Sequence, residues 1–217
     1  PGRIKDHIES RHLSLADFKT VVLDEADRML DMGFIGDMRL LMSQMGKDRH
    51  TLFFSATLST EIEKLIHEFL RTPVRISVKT QYTSKNIDQD VIRIQGKNKL
   101  DVLQDLLRQE EFSKTLVFIR TKHGADKLAK ALSLAGIRAD AIHGNKQQNA
   151  RMRVLEDFKK ERVKVLVATD VAARGLDISD ISHVINYDLP ATYEDYVHRI
   201  GRTGRAEKKG KALTFIE

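Results

Sequence analysis

The sequence predicts an α/β protein in which parallel sheets are flanked by helices, organised as two lobes with the first truncated. Three observations carry that expectation. Short runs rich in Val, Ile and Phe alternate with segments of helical periodicity along the chain. A polar, aperiodic stretch, KTQYTSKNID at 79–88, separates two such series. The later series is long enough for a doubly wound domain, whereas the earlier one supplies only three strands.

Strands are expected at Thr20–Leu23, Thr51–Phe54, Val74–Val78, Asp90–Gln95, Thr115–Ile119, Arg138–Ile142, Val163–Ala168, His183–Tyr187 and Ala212–Ile216. A helix is expected at Glu61–Leu70, where Ile62, Leu65, Ile66 and Phe69 form one stripe and Thr60 with Glu63 fits a capping box. Leu100–Leu107, Ala125–Leu134 and Arg151–Phe158 show the same periodicity, with Gly136 placed to end the second of these. Thr192 is the expected N-cap of a last helix running through Tyr196 toward Gly201. Residues 1–79 are therefore read as the C-terminal part of a larger domain, 80–88 as a linker and 89–217 as a second domain.

Composition narrows the function classes. Of 217 residues, 41% are hydrophobic, enough for an ordinary core. Lys and Arg outnumber Asp and Glu by 37 to 31. That excess describes either a solvated basic surface or, where cations fall on motifs, a nucleic-acid binder. Cysteine is absent, which excludes disulfides and thiolate metal sites and fits a reducing, cytoplasmic setting. No apolar run approaches the roughly 20 residues of a membrane span, and no signal peptide is visible, so no membrane partner is expected. A start at Pro1 rather than Met is read as a cut or processed end.

Chemistry concentrates in short strings at strand ends. Asp24-Glu25-Ala26-Asp27 follows Val21-Val22-Leu23. Ligands of open α/β sheets bind beyond the carboxyl ends of strands. There Asp24 can hold Mg²⁺ through water against nucleotide phosphates, and Glu25 can orient or deprotonate the attacking water. Asp27 suits pairing with a neighbouring loop. An isolated string of this kind also fits an acidic turn opening a helix. The flanking residues DEADRMLDMGF favour the site. Ser55-Ala56-Thr57 follows the next strand, where a hydroxyl also fits a helix cap. Near the other end stands HRIGRTGR, 198–205. On a helix His198, Arg202 and Arg205 would share a face, loosened by Gly201 and Gly204; taken alone, the cluster would equally complement a helix dipole.

Together these strings resemble the DEAD-box family of ATP-dependent RNA helicases, and the resemblance spans essentially the whole chain. It implies two RecA-like lobes, ATP and Mg²⁺ as cofactors, and RNA as partner. It assigns Asp27, Ser55 and Thr57 to coupling between lobes. The run VATDVAARGLDI, 167–178, looks like the family's fifth motif. By that likeness Thr169 donates to an RNA phosphate, Gly175 permits close approach, Asp177 accepts from the ATP ribose, and Arg174 couples the lobes. A lone Asp177 would fit a surface turn equally well. Arg202 and Arg205 would contact the γ-phosphate, with Arg205 the first choice of arginine finger. His198 would couple lobes rather than bind metal.

RNA contacts are expected at Gly2 and Arg3, which look like the end of a TPGR motif, and at Thr121 in the fourth motif. Gly144, Gln148 and Arg151 complete the set, although a Q-x-x-R spacing also opens ordinary amphipathic helices. Donors of this kind track a sugar–phosphate backbone, so sequence preference should be weak. RTKHGADKLAKAL followed by AIHGNKQQNAR is similar to the bacterial RhlE-like branch. No GxxxxGK[ST] string occurs in the chain, so these 217 residues alone are expected to lack ATPase activity. Two alternatives stay open: a non-enzymatic RNA-binding fragment and a DNA-directed helicase of the wider superfamily. Oligomeric state is left open.

Overall fold

The computed structural model describes residues 1–78, 86–173, 178, 180–204 and 208–217. The chain divides into two compact units, Pro1–Val78 and Lys79–Glu217.

The first unit runs α1 (Gly2–Glu9), β1 (Thr20–Leu23), α2 (Ala26–Asp31), α3 (Ile35–Ser43), β2 (His50–Phe53) and α4 (Thr60–Phe69). β1 and β2 pair in parallel, with Val21 opposite Thr51 and Leu23 opposite Phe53. Alternation decides what each side chain meets. Val21, Leu23 and Phe53 pack on a core of Ala26, Met38, Ile62, Leu65 and Phe69, while Val22 and Leu52 stay exposed. The predicted stripe of α4 is buried as expected, but its cap differs. Ser59, with φ −70° and ψ 164°, is the N-cap, and its hydroxyl accepts from Ile62 N at 3.3 Å. Thr60 is already helical, and the third helical position holds Ile62, so no capping box forms.

The expected strand at Val74–Val78 is absent: among the described residues the first unit's sheet has two strands, not three. Val74, Ile76 and Val78 are 88%, 87% and 79% exposed. Their alternation fits a pleated, half-buried surface, but the segment pairs with neither β1 nor β2.

The second unit contains β3 (Ile87–Arg93), α5 (Lys99–Arg108), β4 (Thr115–Phe118), α6 (Lys122–Leu134), β5 (Ala139–Ile142), α7 (Gln148–Lys159), β6 (Val165–Ala168), α8 (Asp170–Ala173), β7 (His183–Asn186), α9 (Tyr193–Ile200) and β8 (Gly210–Ile216). Among the described residues its six strands are ordered β3-β8-β7-β4-β6-β5, and every pairing is parallel. Val117, Val165, Val167 and Ile185 face α5 and α6, where Leu103, Leu128 and Leu132 meet them. Leu116, Phe118, Leu166 and Val184 face the other way, against Val154 and Phe158 of α7. Burial on both faces explains why these strands read as unbroken apolar runs.

Ile87 and Asp88, expected in the linker, pair with Gly210 and Lys211 as the start of β3. That strand ends before Gln95, whose φ of 49° breaks extended geometry. Gly136 ends α6 as expected: at φ +80° it donates to Ser133 O, and Ile137 donates to Leu132 O, both at 3.0 Å. This is a Schellman closure, with Ile137 and Leu132 in one apolar cluster. No helix among the described residues is long and apolar enough to cross a membrane.

Candidate functional site

In the first unit the carboxylates sit at the carboxyl end of β1. Asp24 is exposed and its Oδ1 accepts from Glu25 N at 2.9 Å. Glu25 is the N-cap of α2 and adopts φ 52°, ψ 47°, a left-handed conformation unusual for a side-chain-bearing residue. The chain therefore turns sharply between strand and helix and leaves both carboxylates on the rim. Glu25 Oε2 takes a hydrogen bond from Arg28 Nη1 at 3.1 Å. Backbone bonds from Phe54 N to Leu23 O and from Ala26 N to Phe54 O fasten the turn to the end of β2.

Asp27 is 7% exposed. Its Oδ2 accepts from Ala56 N at 3.1 Å, Thr57 N at 2.9 Å and Thr57 Oγ1 at 3.1 Å. Ser55 instead donates its hydroxyl to Thr57 O at 2.7 Å. Asp24, Glu25, Asp27, Ser55 and Thr57 thus form one cluster in this unit. Gly2 and Arg3 lie in the first turn of α1, a helix not among those the sequence predicts.

In the second unit Thr121, Gly144, Gln148 and Thr169 follow the carboxyl ends of β4, β5 and β6, and His198 and Arg202 lie on and just beyond α9. Thr121 is the N-cap of α6, its Oγ1 accepting from Gly124 N at 3.0 Å. Gly144 follows β5, and nearby Lys122 Nζ donates to Asn145 Oδ1 at 2.8 Å. Gln148 opens α7 and accepts from Arg151 Nη1 at 3.4 Å. Thr169 is only 6% exposed, and its carbonyl accepts from Ala172 N and Ala173 N. His198 lies on α9, capped by Thr192, whose Oγ1 accepts from Asp195 N at 3.1 Å. α9 ends at Ile200, so Arg202 lies beyond it in a tightened turn, with Arg202 N donating to Arg199 O at 3.2 Å. Arg202 Nε donates back to His198 O at 3.4 Å. Arg174, Gly175, Asp177 and Arg205 lie outside the described residues.

Two residues with no role predicted from the sequence, Arg199 and Asp170, hold this region together. Arg199, 3% exposed, makes a bidentate pair with Asp170, Nε to Oδ1 at 2.7 Å and Nη2 to Oδ2 at 2.8 Å. Its Nη1 donates to Asp188 O at 2.6 Å and Asn186 Oδ1 at 3.3 Å. The available signal was an arginine beside Ile200 on a helix whose buried residues face a sheet. On the same helix, burial pushes the Tyr196 hydroxyl above its ordinary pKa, with Tyr193 adding to the effect, and that hydroxyl donates to Gln89 Oε1.

The match to the helicase conserved C-terminal domain over residues 98–207 places the chain in the helicase class. The DEAD/DEAH box helicase model matches residues 1–65. The chain belongs to the DEAD-box helicase family, with two RecA-like lobes. It is 48% identical to the ATP-dependent RNA helicase CshA of Listeria monocytogenes, covering all of this chain and 42% of that one. CshA of Bacillus subtilis is also 48% identical, with 44% of it covered. The chain thus spans less than half the length of these curated relatives. Among solved structures, S. cerevisiae Dbp5 bound to RNA and ADP BeF3 matches at TM-score 0.85 and 33% identity, covering all of this chain and 58% of that one. A DEAD box protein from Methanococcus jannaschii matches at TM-score 0.57 and 42% identity, again over all of this chain and 58% of that one.

Proposed function

We propose that the chain is part of an ATP-dependent RNA helicase that separates short duplexes locally, as ATP and RNA together close its two lobes. The observation that carries this reading is the loop after β1. There a carboxylate pair stands exposed at the end of a parallel strand, and Asp27 locks it to the residues after β2. Further support is that the Listeria and Bacillus relatives bear the name ATP-dependent RNA helicase, and that the yeast structure holds RNA and ADP BeF3.

In this reading Asp24 holds Mg²⁺ through water. The donor set fits, because Mg²⁺ needs only one or two carboxylates when phosphates and water supply the rest. When bound, the ion neutralises charge on the phosphates. Glu25 orients the attacking water. Asp27, Ser55, Thr57, Arg174 and His198 couple the lobes, Gly175 permits close approach of the nucleotide, and Asp177 accepts from its ribose. Arg202 and Arg205 face the γ-phosphate, where an arginine contributes roughly 10³–10⁵ in rate in related reactions. Gly2, Arg3, Thr121, Gly144, Gln148, Arg151 and Thr169 follow the RNA backbone with weak sequence preference. A cytoplasmic location belongs to the same proposal.

The test is ATP hydrolysis and strand separation by the full-length protein, with RNA or DNA of one sequence. RNA should stimulate both activities and DNA should not. Equal stimulation by DNA would favour a DNA-directed enzyme. RNA binding without turnover would leave a non-enzymatic binder.

A further inference from the structure

We propose that Arg199 is a positioning residue whose buried pair with Asp170 clamps the helix leading to Arg202 onto the turn that begins at Thr169, so that RNA contact and hydrolysis respond as one unit. The proposal rests on the helicase reading above. Its basis is geometric. Asp170 directly follows Thr169 at the end of β6, and Arg199 lies three residues before Arg202 at the end of α9. One guanidinium joins these segments, with both Asp170 oxygens engaged at 2.7 and 2.8 Å. The same group reaches β7 through Asn186 Oδ1 and the carbonyl of Asp188, and its carbon lies 5.1 Å from the centre of the Phe118 ring on β4.

The guanidinium is therefore registered against the ends of three adjacent strands. Asp188 is itself held, accepting from Arg120 N at 2.9 Å and Lys99 Nζ at 3.3 Å. A planar fork buried in this way fixes direction as well as distance, which a lysine cannot reproduce. A shift of the Thr169 turn must then be transmitted to the segment bearing Arg202, because neither segment can rotate without breaking the bidentate pair.

The experiment uses the full-length protein with Arg199→Lys, Asp170→Asn and the double variant. Each single variant should lower RNA-stimulated kcat about tenfold or more, as expected when a reacting group is misplaced by an ångström or less. KM for ATP and nucleotide-free RNA affinity should stay within about threefold, because neither residue is assigned a ligand contact in the reading above. The double variant should be no worse than the poorer single one. Unchanged kcat in both single variants, or losses that multiply in the double, would overturn the clamp. Hydrogen exchange is measured in parallel on the same proteins. Faster exchange at 170–173 and the last turn of α9 together, with β4 and β7 still protected, supports the clamp; unchanged exchange overturns it. Absence of RNA-stimulated turnover in the unsubstituted protein would sink the helicase reading instead, and exchange would then decide the clamp alone.

Discussion

Thr57 binds one oxygen of Asp27 twice, through its backbone N–H at 2.9 Å and its hydroxyl at 3.1 Å. Asp27 lies at the start of α2 and Thr57 just past β2, so this contact ties the two strand ends of the first unit together. Ala56 N adds a third donor to the same oxygen.

Asp27→Ala should therefore destabilise the β1–β2 region by about 3 kcal/mol, because it leaves several donors without their charged acceptor. Thr57→Val removes one donor, and its loss should be about 1 kcal/mol. Native-state exchange of the β2 amides measures both. The double variant should fall short of the sum, since the residues share one interaction.

Gly210→Ala probes the turn after α9. A Cβ at Gly210 would lie 2.6 Å from Gly204 N and 2.8 Å from Thr203 Cβ. Both obstacles are rigid, and Thr203 is itself 2% exposed, with its hydroxyl donating to Ile181 O. The substitution should cost about 1–3 kcal/mol as overpacking. Chemical denaturation followed by a second-unit probe reads the loss. A fully tolerated alanine would show that the turn can shift freely.

His183 supplies a pH dependence. It is 6% exposed and stacked on Phe112, with ring centres 4.1 Å apart. Burial lowers its pKa most; Glu111 acts to raise it and Lys211 to lower it further. The unfolded chain then binds a proton more readily than the folded one. The histidine's contribution is intact above the unfolded value of about 6.5 and falls as pH drops toward the depressed folded value, by at most about 1.4 kcal/mol per unit. Denaturation midpoints from pH 7.5 to 5 should decline less in His183→Phe, which keeps the stack but cannot titrate. Equal slopes would rule out His183 as the source.

The second unit's strands were legible because a parallel sheet covered on both faces favours apolar side chains on both, as in Leu116, Val117 and Phe118 and in Val165–Ala168. Helix α1 was missed because its apolar pattern is short: Ile4 and Ile8 alone mark a face, with Ile4 43% exposed and Ile8 only partly buried on the core. The alternating segment at 74–78 misled because a pleat pattern records suitability for a strand, not the presence of a partner. At the site, the contact between Asp27 and the 55–57 segment was readable once consecutive strands were assumed to be neighbours. The pair between Arg199 and Asp170 was not. It depends on β4 lying between β6 and β7, an order that no local pattern encodes.

RNA binding tests the α7 entrance. Gln148→Ala and Arg151→Ala should weaken binding to unrelated single strands by similar factors, because phosphates carry no sequence information. Arg151→Ala should also reduce the slope of log affinity against log salt by about one, the loss of one phosphate contact. A fluorescence anisotropy titration at several salt concentrations measures both effects. A loss confined to one RNA sequence would point to base readout instead.

Glu25 and Arg202 should separate hydrolysis from binding in the full-length protein. Glu25 stands exposed in a left-handed turn and already accepts from Arg28, so its carboxylate is presented in a fixed direction. Glu25→Gln keeps the shape but removes the negative charge that draws a proton from water. It should lower kcat by about 10²-fold or more while RNA and ATP affinities stay near the parent values. Arg202→Ala should likewise lower kcat more than it weakens ATP binding, because a cation on the γ-phosphate acts most strongly on the charge of the transition state. Arg202→Lys should rescue little, since a point charge cannot replace the planar fork. Single-turnover rates and nucleotide affinities decide the matter. Hydrolysis at the parent rate in Glu25→Gln would move the water-orienting role away from the β1 turn, and the same result in Arg202→Ala would leave Arg205 to carry the phosphate contact alone.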